Sequence, residues 1–138
     1  MQDLDRARLR LKEKELSLVI FKSGELLFET DSHGIKGFLE ATQLLGSGLA
    51  GSSVADRIVG RAVAFLCAYF KVSSVFAVIM SEKAADVLVG YDIPCRFERC
   101  VPDILNQAKE DVCPFEKLAA GFATPEEAYR ELRSLLQE

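Results

Sequence analysis

The stretch from Gly46 to Met80 constrains the fold more than any other part of this 138-residue chain. It opens with a loop rich in glycine and serine, Gly46–Ser53, followed by a long apolar segment that we interpret as one helix from about Val54 to Phe70. Apolar residues would cover nearly all of its circumference, which is typical of a buried helix. The run from Val72 to Met80 is almost continuously apolar, like a strand buried on both faces of a parallel sheet.

The remaining segments carry local signals for helices and strands around that centre. In chain order we predict a peripheral helix over residues 3–14, a hairpin of strands 16–22 and 25–30 with a Ser23-Gly24 turn, a helix capped by Asp31 or Ser32 and ended by Gly46, a helix over 81–89, a strand over 93–101, and helices that begin at Pro114 and after Thr124. The pattern predicts a single α/β domain over residues 1–138. Its mixed sheet has four or five strands, and helices cover both faces in three layers.

Composition and charge exclude several functions. Hydrophobic residues make up 49% of the chain, which is enough for a core, and the net charge of −4 argues against a nucleic-acid-binding protein that relies on bulk electrostatics. No apolar run is long enough to span a membrane. The first fourteen residues are charged throughout, unlike a signal peptide, so we expect a cytoplasmic protein with no membrane partner.

The start of the long predicted helix is the main candidate binding site. Loop residues Gly48, Gly51, Ser52 and Ser53 would present backbone N–H groups to a ligand, as in anion sites at helix N-termini. The charged residues of the segment come next: Asp56, Arg57 and Arg61. The two arginines are four apart and would share a helix face, where either neutralises an anion. A solvated helix start after a flexible loop is the alternative.

Two further residues extend this candidate site. Ser81 and Glu82 follow the predicted central strand, and ligands of open α/β sheets bind beyond the carboxyl ends of strands. Helix capping by Ser81 is the alternative role. The loop has neither the P-loop pattern nor a strand leading directly into its G-x-G-x-x-G spacing, so neither nucleotide motif is established. The expected ligand is a small anionic or nucleotide-like molecule, and no cofactor is predicted.

The four cysteines are expected to be reduced thiols, because the chain lacks a secretion signal. Cys67 lies in the apolar segment and is expected in the core. Cys95, Cys100 and Cys113 lack the close C-x₂-C spacing of a zinc knuckle, and the one histidine, His33, is distant in sequence. We therefore predict no metal site, and we expect His33 at the surface.

Cys113 is the one candidate nucleophile. It precedes Pro114 at a predicted helix start, where a thiol can have a lowered pKa and act in catalysis or redox sensing. Asp111 and Glu116 oppose thiolate formation by their charge. Glu116 has an alternative structural role, in which it reaches back to the Cys113 N–H as in a capping box.

Three stretches carry a resemblance to a known family: Leu18–Gly24, Val54–Arg61 and Asp111–Glu116. With the order of elements, they make the chain similar to domain-of-unknown-function family 1893, an uncharacterised bacterial and archaeal group. The order of elements also resembles the cytidine-deaminase-like fold. The resemblance implies that fold from residue 16 onward, but it implies no established activity.

The chain departs from zinc deaminases at both of their motifs. Those enzymes need H-x-E or C-x-E at the start of the buried helix and P-C-x-x-C at the start of the next helix. Here the corresponding positions read Ser53-Val-Ala-Asp56 and Met80-Ser-Glu-Lys83, and Pro94-Cys95 comes about a dozen residues too late. Zinc-dependent deamination is therefore not expected. Three functions stay open: a binding protein for a small anion, a thiol enzyme or redox sensor using Cys113, and a non-catalytic interaction module such as a homodimer.

Overall fold

A computed structural model describes residues 2–32, 34–105 and 112–134. Its elements follow one another in the order α1 Asp3–Glu13, β1 Leu18–Lys22, β2 Glu25–Thr30, α2 Ile35–Leu45, a 3₁₀ turn Gly46–Leu49, β3 Ser53–Val59, α3 Arg61–Tyr69, β4 Ser74–Ser81, α4 Glu82–Gly90, β5 Cys95–Val101, α5 Pro114–Ala119 and α6 Pro125–Ser134. The predictions for His33 and Asp111 concern residues outside these described ranges.

The five strands form one mixed sheet in the order β2-β1-β3-β4-β5. Strand β1 is antiparallel to both of its neighbours, whereas β3, β4 and β5 run parallel to one another. The predicted Ser23-Gly24 turn is confirmed, and both residues have positive φ values of 53° and 79°. This is the conformation that a two-residue hairpin turn requires.

Helices cover both faces of the sheet, so the predicted three-layer α/β architecture is confirmed. On one face, Ala7 and Leu11 of α1 pack against Val19, Ala55 and Phe76. On the other face lies the larger core, formed by the sheet and helices α2, α3 and α4, with α5 and α6 contributing Ala119 and Leu132. The N-terminal helix, predicted as peripheral, buries two of its side chains completely.

The predicted helix from Val54 to Phe70 is wrong in its first half. Residues Ser53–Val59 form β3, and helix α3 begins only at Arg61. Strand β3 lies between β1 and β4 and is buried on both faces, which makes its sequence as uniformly apolar as that of a buried helix. Because both environments select apolar residues at successive positions, the local pattern did not distinguish them.

Several helix ends agree with the predicted signals. Gly46 ends α2 with a φ of 48°, Ser81 caps α4, and Pro114 is the first residue of α5. The predicted cap of α2 is wrong, because the N-cap position is held by Gly34 and not by Asp31 or Ser32. None of the helices in the described ranges combines the length and the apolar character needed to cross a membrane.

Candidate functional site

The structure divides the predicted binding residues between opposite ends of the sheet. Gly48, Gly51, Ser52 and Ser53 lie at the amino end of β3, whereas Ser81 and Glu82 lie at the carboxyl end of the parallel β4. Strands of this length rise about 3.3 Å per residue, so these ends are about 20 Å apart. The expectation that all of these residues line one cleft is therefore wrong.

At the carboxyl end, the start of α3 already holds an anion from the chain itself. The Arg61 N–H donates to Glu116 Oε1 at 2.6 Å, and the Ala62 N–H donates to Oε2 at 3.0 Å. Gly60 permits this approach, because a Cβ at that position would lie 2.6 Å from Oε2. The carboxylate thus occupies the positive end of α3, where an external anion would otherwise bind.

Arg61 is committed to the same contact between helices. Its guanidinium donates to the carbonyl oxygens of Ala119 at 3.0 Å and Phe122 at 2.9 Å, and it lies 5.0 Å from the centre of the Phe65 ring. A cation at these last carbonyls complements the negative end of α5. Arg61 therefore fastens α5 to α3.

Arg57 points to the other side of the sheet. Its Nε donates to the Leu16 carbonyl at 2.8 Å, and a terminal guanidinium nitrogen donates to the Leu11 carbonyl at 3.1 Å. These bonds secure the end of α1 and the chain that leads into β1. Arg57 and Arg61 consequently share no face, because Arg57 lies on a strand and Arg61 on a helix.

Ser81 caps helix α4, which was its alternative predicted role, and Glu82 lies in the first turn of that helix. The buried Ser81 Oγ accepts a hydrogen bond from the Ala84 N–H at 3.1 Å, as an N-cap residue does. Glu82 is exposed in the first turn of α4, where its charge favours the helix dipole.

Asp56 is a buried carboxyl group in the centre of β3 rather than a charge near a helix start. Its Oδ1 accepts from the Ile58 N–H at 3.3 Å. Burial raises the pKa of Asp56 to about 7, and the backbone hydrogen bonds from Ile58 and Arg57 oppose this only in part. Cys67, fully buried in α3 as predicted, has a thiol pKa raised by burial and by the charge of Asp56.

Cys113 precedes α5, as predicted, and is half-buried. Its N–H donates to the Ile104 carbonyl at 2.8 Å, while the Glu116 carboxylate bonds to α3. The capping-box role of Glu116 is therefore wrong. The proposal of a reactive Cys113 thiol stays a prediction.

A separate cavity of about 640 Å³ lies at the amino ends of β3, β4 and β5, and we call it the amino-end cavity. Its walls come from the start of α1, the hairpin turn and the first residues of three strands. The lining residues are Gln2, Asp3, Leu4, Arg6, Ser23, Gly24, Gly51, Ser53, Ser73, Ser74, Pro94, Cys95 and Arg96. Of the predicted binding residues, only Gly51 and Ser53 belong to it.

The charges and hydroxyl groups of the amino-end cavity are partly committed to the fold. The Asp3 carboxylate accepts from the N–H groups of Ser23 and Gly24, both at 2.9 Å, and from the Arg6 guanidinium at 3.4 Å. The Ser53 and Ser74 hydroxyls bond to each other at 2.8 Å. Arg96 contacts Asp5 only at 3.7 Å, and its side chain is 65% exposed.

Comparison with known proteins identifies the family. The family profile described as Domain of unknown function (DUF1893) matches residues 6–136. The chain belongs to the DUF1893 family. A crystal structure of a DUF1893 family protein from Thermotoga maritima is similar to it, with 30% sequence identity, a TM-score of 0.88, and coverage of 97% of this chain and 90% of that chain. The sequence matches no curated protein at a significant level.

Two more distant structures share the fold of this DUF1893 protein. One is the dCMP deaminase from the cyanophage S-TIM5, with 14% identity, a TM-score of 0.50, and coverage of 69% of this chain and 93% of that chain. The other is RibD from Acinetobacter baumannii, with 16% identity, a TM-score of 0.51, and coverage of 76% of this chain and 30% of that chain. The predicted deaminase-like fold is thereby confirmed.

The zinc site of deaminases does not fit the helix starts of this DUF1893 protein. Helix α3 starts with Gly60-Arg61-Ala62 and receives the Glu116 carboxylate, and α4 starts with Ser81-Glu82-Lys83. Before α2 the sequence reads His33-Gly34-Ile35, with an isoleucine where H-x-E requires glutamate. In the described ranges, no three His, Cys, Asp or Glu residues are grouped closely enough to hold a metal ion.

The two arginines that charge the amino-end cavity were not predicted from the sequence. Arg6 and Arg96 belong to α1 and β5, and they come close because α1 crosses the sheet and β5 pairs with β4. Each arginine lies in an ordinary charged segment. Only the strand order, which local patterns do not contain, brings them together.

Ser52 gives a first testable prediction. Its hydroxyl is fully buried and has no hydrogen-bond partner in the described part of the chain. Burying an unpaired hydroxyl costs free energy, so we expect Ser52→Ala to raise the free energy of unfolding by about 1 kcal/mol. The neighbouring Ser53→Ala should instead lower it by about 1 kcal/mol, because it breaks the bond to Ser74. Urea denaturation measures the free energy of unfolding of both variants. A destabilised Ser52→Ala variant would contradict an unpaired Ser52 hydroxyl.

Proposed function

We propose that this DUF1893 protein binds a small, polar, anionic molecule in the amino-end cavity. The observation that carries the proposal is the convergence of Arg6 and Arg96 with serine hydroxyl groups around one cavity. The ligand class is the one predicted from the sequence, but the positive charge comes from different residues. Arg57 and Arg61, which the sequence predicted as the anion-binding arginines, instead donate to backbone carbonyls of the protein itself.

The balance of charge in the cavity favours an anion. Among the described residues that line the cavity, Arg6 and Arg96 contribute two guanidinium groups and Asp3 contributes the one carboxylate, which accepts hydrogen bonds from two backbone N–H groups and from Arg6. A guanidinium group can donate two parallel hydrogen bonds to a phosphate or a carboxylate. The start of α1 lies in the same wall, and Asp3 and Asp5 of its first turn offset part of its positive dipole end.

The lining also limits what kind of anion would bind. A volume of about 640 Å³ is in the range of small-molecule sites. Among the described residues, the lining contains serines and glycines but no aromatic side chain on which a base would stack. A phosphorylated or carboxylated metabolite therefore suits the cavity better than a ligand held by its nucleobase.

Calorimetric titration with a panel of phosphorylated metabolites, carboxylates and nucleotides tests this function. We expect at least one phosphate ester to bind. The double variant Arg6→Gln with Arg96→Gln should weaken that binding at least about tenfold, because charge-assisted bonds to the anion are lost. Raising the salt concentration should also weaken it.

Arg99→Gln is the matched control. Arg99 lies three residues from Arg96 on the same strand, is exposed and does not line the cavity, yet its replacement removes the same charge. Its effect on the dissociation constant should be less than about twofold. The absence of binding by every compound, or an equal loss in the Arg99→Gln variant, would contradict the proposed function.

A non-catalytic interaction module is the second candidate function. It is supported by the carboxyl end of the sheet, where the Glu116 side chain occupies the start of α3. A cytoplasmic location is part of the proposal too. It is supported by four free thiols, of which Cys100 is exposed.

A further inference from the structure

We propose that two copies of this chain associate by antiparallel pairing of their β5 strands, centred on Phe97. The result would be a continuous ten-stranded sheet with a two-fold axis between the two β5 strands. This inference does not depend on the proposed ligand. It rests on the backbone of β5, on its side-chain exposure and on its charge pattern.

Strand β5 lies at the edge of the sheet, and one side of its backbone faces away from β4. It is the last strand in the sheet order. The Val75 N–H donates to the Pro94 carbonyl at 3.0 Å, and Val75 is paired with Cys95. In a parallel ladder this arrangement directs the backbone groups of residues 96, 98 and 100 toward β4. The N–H and C=O groups of Cys95, Phe97 and Arg99 therefore point outward, and such an edge is a template for another strand.

The side chains of β5 are unusually open to solvent. Five consecutive residues, 96–100, are exposed, and the Phe97 residue is 44% exposed. Within the described ranges, no backbone outside β4 bonds to residues 95–101. At the centre of the proposed dimer, the Phe97 ring would pack against the Phe97 ring of the second copy. Aromatic cross-strand pairs of this kind stabilise sheets.

The charges of β5 favour the register centred on Phe97. With the two-fold axis at Phe97, Arg96 lies directly opposite the partner's Glu98, and this contact occurs twice. An axis at Glu98 would oppose two glutamates, and an axis at Arg99 would oppose two arginines. Like charges directly opposite one another destabilise a sheet, whereas opposite charges stabilise it. The order Arg96-Phe97-Glu98 is therefore self-complementary in one antiparallel register.

The ion pairs within one chain are compatible with this register. Glu98 pairs with Lys12, and Arg96 lies 3.7 Å from Asp5, both on the face that α1 covers. In the dimer Arg96 would lie between Asp5 and the partner's Glu98, and Glu98 would lie between Lys12 and the partner's Arg96. Positive and negative charges would therefore alternate across the interface. Charged residues on an edge strand ordinarily prevent pairing. Here their alternation opposes the registers centred on Glu98 and Arg99 and favours the Phe97-centred one.

Sedimentation equilibrium of the full chain at increasing concentration tests the dimer. We expect a monomer–dimer equilibrium in the wild-type protein. The variant Glu98→Arg places like charges opposite each other at two positions and should weaken the dimer at least about tenfold. Combining it with Arg96→Glu restores opposite charges across the axis, so the double variant should return to near the wild-type dissociation constant.

Two controls keep the test specific. Glu25→Arg makes the same charge change on the opposite edge strand, β2, and should leave the dimer unchanged. If Glu98→Arg fails to fold, Phe97→Pro replaces it, because the Phe97 N–H points away from β4 and its loss affects only the outer edge. A wild-type protein that stays monomeric at every concentration would overturn the proposal. An unchanged dimer dissociation constant in folded Glu98→Arg or Phe97→Pro protein would also overturn it.

Amide hydrogen exchange adds a readout at single residues. We expect exchange of the Phe97 and Arg99 amides to slow as the dimer forms, while the amides that bond to β4 change little. Slow exchange of these two amides in a monomeric sample would mean that another part of the chain covers the edge. That result would also overturn the proposal.

Discussion

Replacing Asp56 by asparagine is expected to remove most of the pH dependence of stability between about pH 4 and about pH 7. The wild-type protein should lose stability as the pH rises through this range. Above about pH 7, the Asp56→Asn variant should be more stable than wild type by about 2–4 kcal/mol. Near pH 4, where the wild-type carboxyl is protonated in the folded protein, the two proteins should be almost equally stable.

The sign follows from the two protonation equilibria of Asp56. In the folded protein burial raises its pKa to about 7 from an ordinary value of 3.8. Between these values the folded state holds a proton that the unfolded state has released. The stability from this neutral carboxyl is complete below the unfolded pKa and is lost as the pH rises through the folded pKa. Asparagine keeps an oxygen for the Ile58 N–H and never ionises.

Urea denaturation at several pH values measures this effect. Glu82→Gln is the control, because it removes a carboxylate of the same charge from an exposed position on α4. It should leave the pH dependence of the free energy of unfolding as in the wild type. If Asp56→Asn loses stability at all pH values, the carboxylate has a stabilising partner and the assignment of a neutral buried acid is wrong.

Removing the Glu116 carboxylate is expected to lower the free energy of unfolding by about 2–3 kcal/mol. In the Glu116→Ala variant the N–H groups of Arg61 and Ala62 lose their acceptor at the start of α3. Gly60→Ala should cost about 2 kcal/mol by a different route, because its Cβ would displace the carboxylate from the same N–H groups.

A double-mutant cycle shows whether the two changes act on one interaction. The combined variant should be destabilised by clearly less than the sum, since Gly60→Ala has no carboxylate left to displace once Glu116 is alanine. Gly48→Ala is the matched control, because no described residue lies within 4 Å of a Cβ at Gly48, and it should change stability by less than about 0.5 kcal/mol. Additive effects of Gly60→Ala and Glu116→Ala would contradict a shared contact.

The parts of the fold that could be predicted carry their signals locally. The Ser23-Gly24 turn, the Gly46 helix end and the Ser81 cap each need only a few neighbouring residues, and all three are confirmed. Strand β3 was missed because pairing with β1 and β4, not its own sequence, makes it a strand. Tertiary pairing of this kind regularly overrides local propensity.

The candidate site was harder to predict than the fold for the same reason. Because β3 was predicted as part of a helix, Asp56 was expected at a helix start, whereas it is buried in the core. Arg57 and Arg61 were expected on one helix face, but Arg57 lies on the strand. Glu116 lies more than fifty residues from its partners at the start of α3, so no spacing rule connects them. The amino-end cavity likewise joins α1 to β5, which only the finished sheet brings together.

The order in which the strands are synthesised affects how this chain folds on the ribosome. Strand β4 is an interior, strongly apolar strand with Val75, Ala77 and Met80 fully buried, and β5 pairs with it only after α4 has been made. At ordinary elongation rates that delay is about one to three seconds. During it, β4 exposes a long apolar edge to other nascent chains. A chain that stops before Cys95 should therefore aggregate, and chaperones are expected to bind this segment during synthesis.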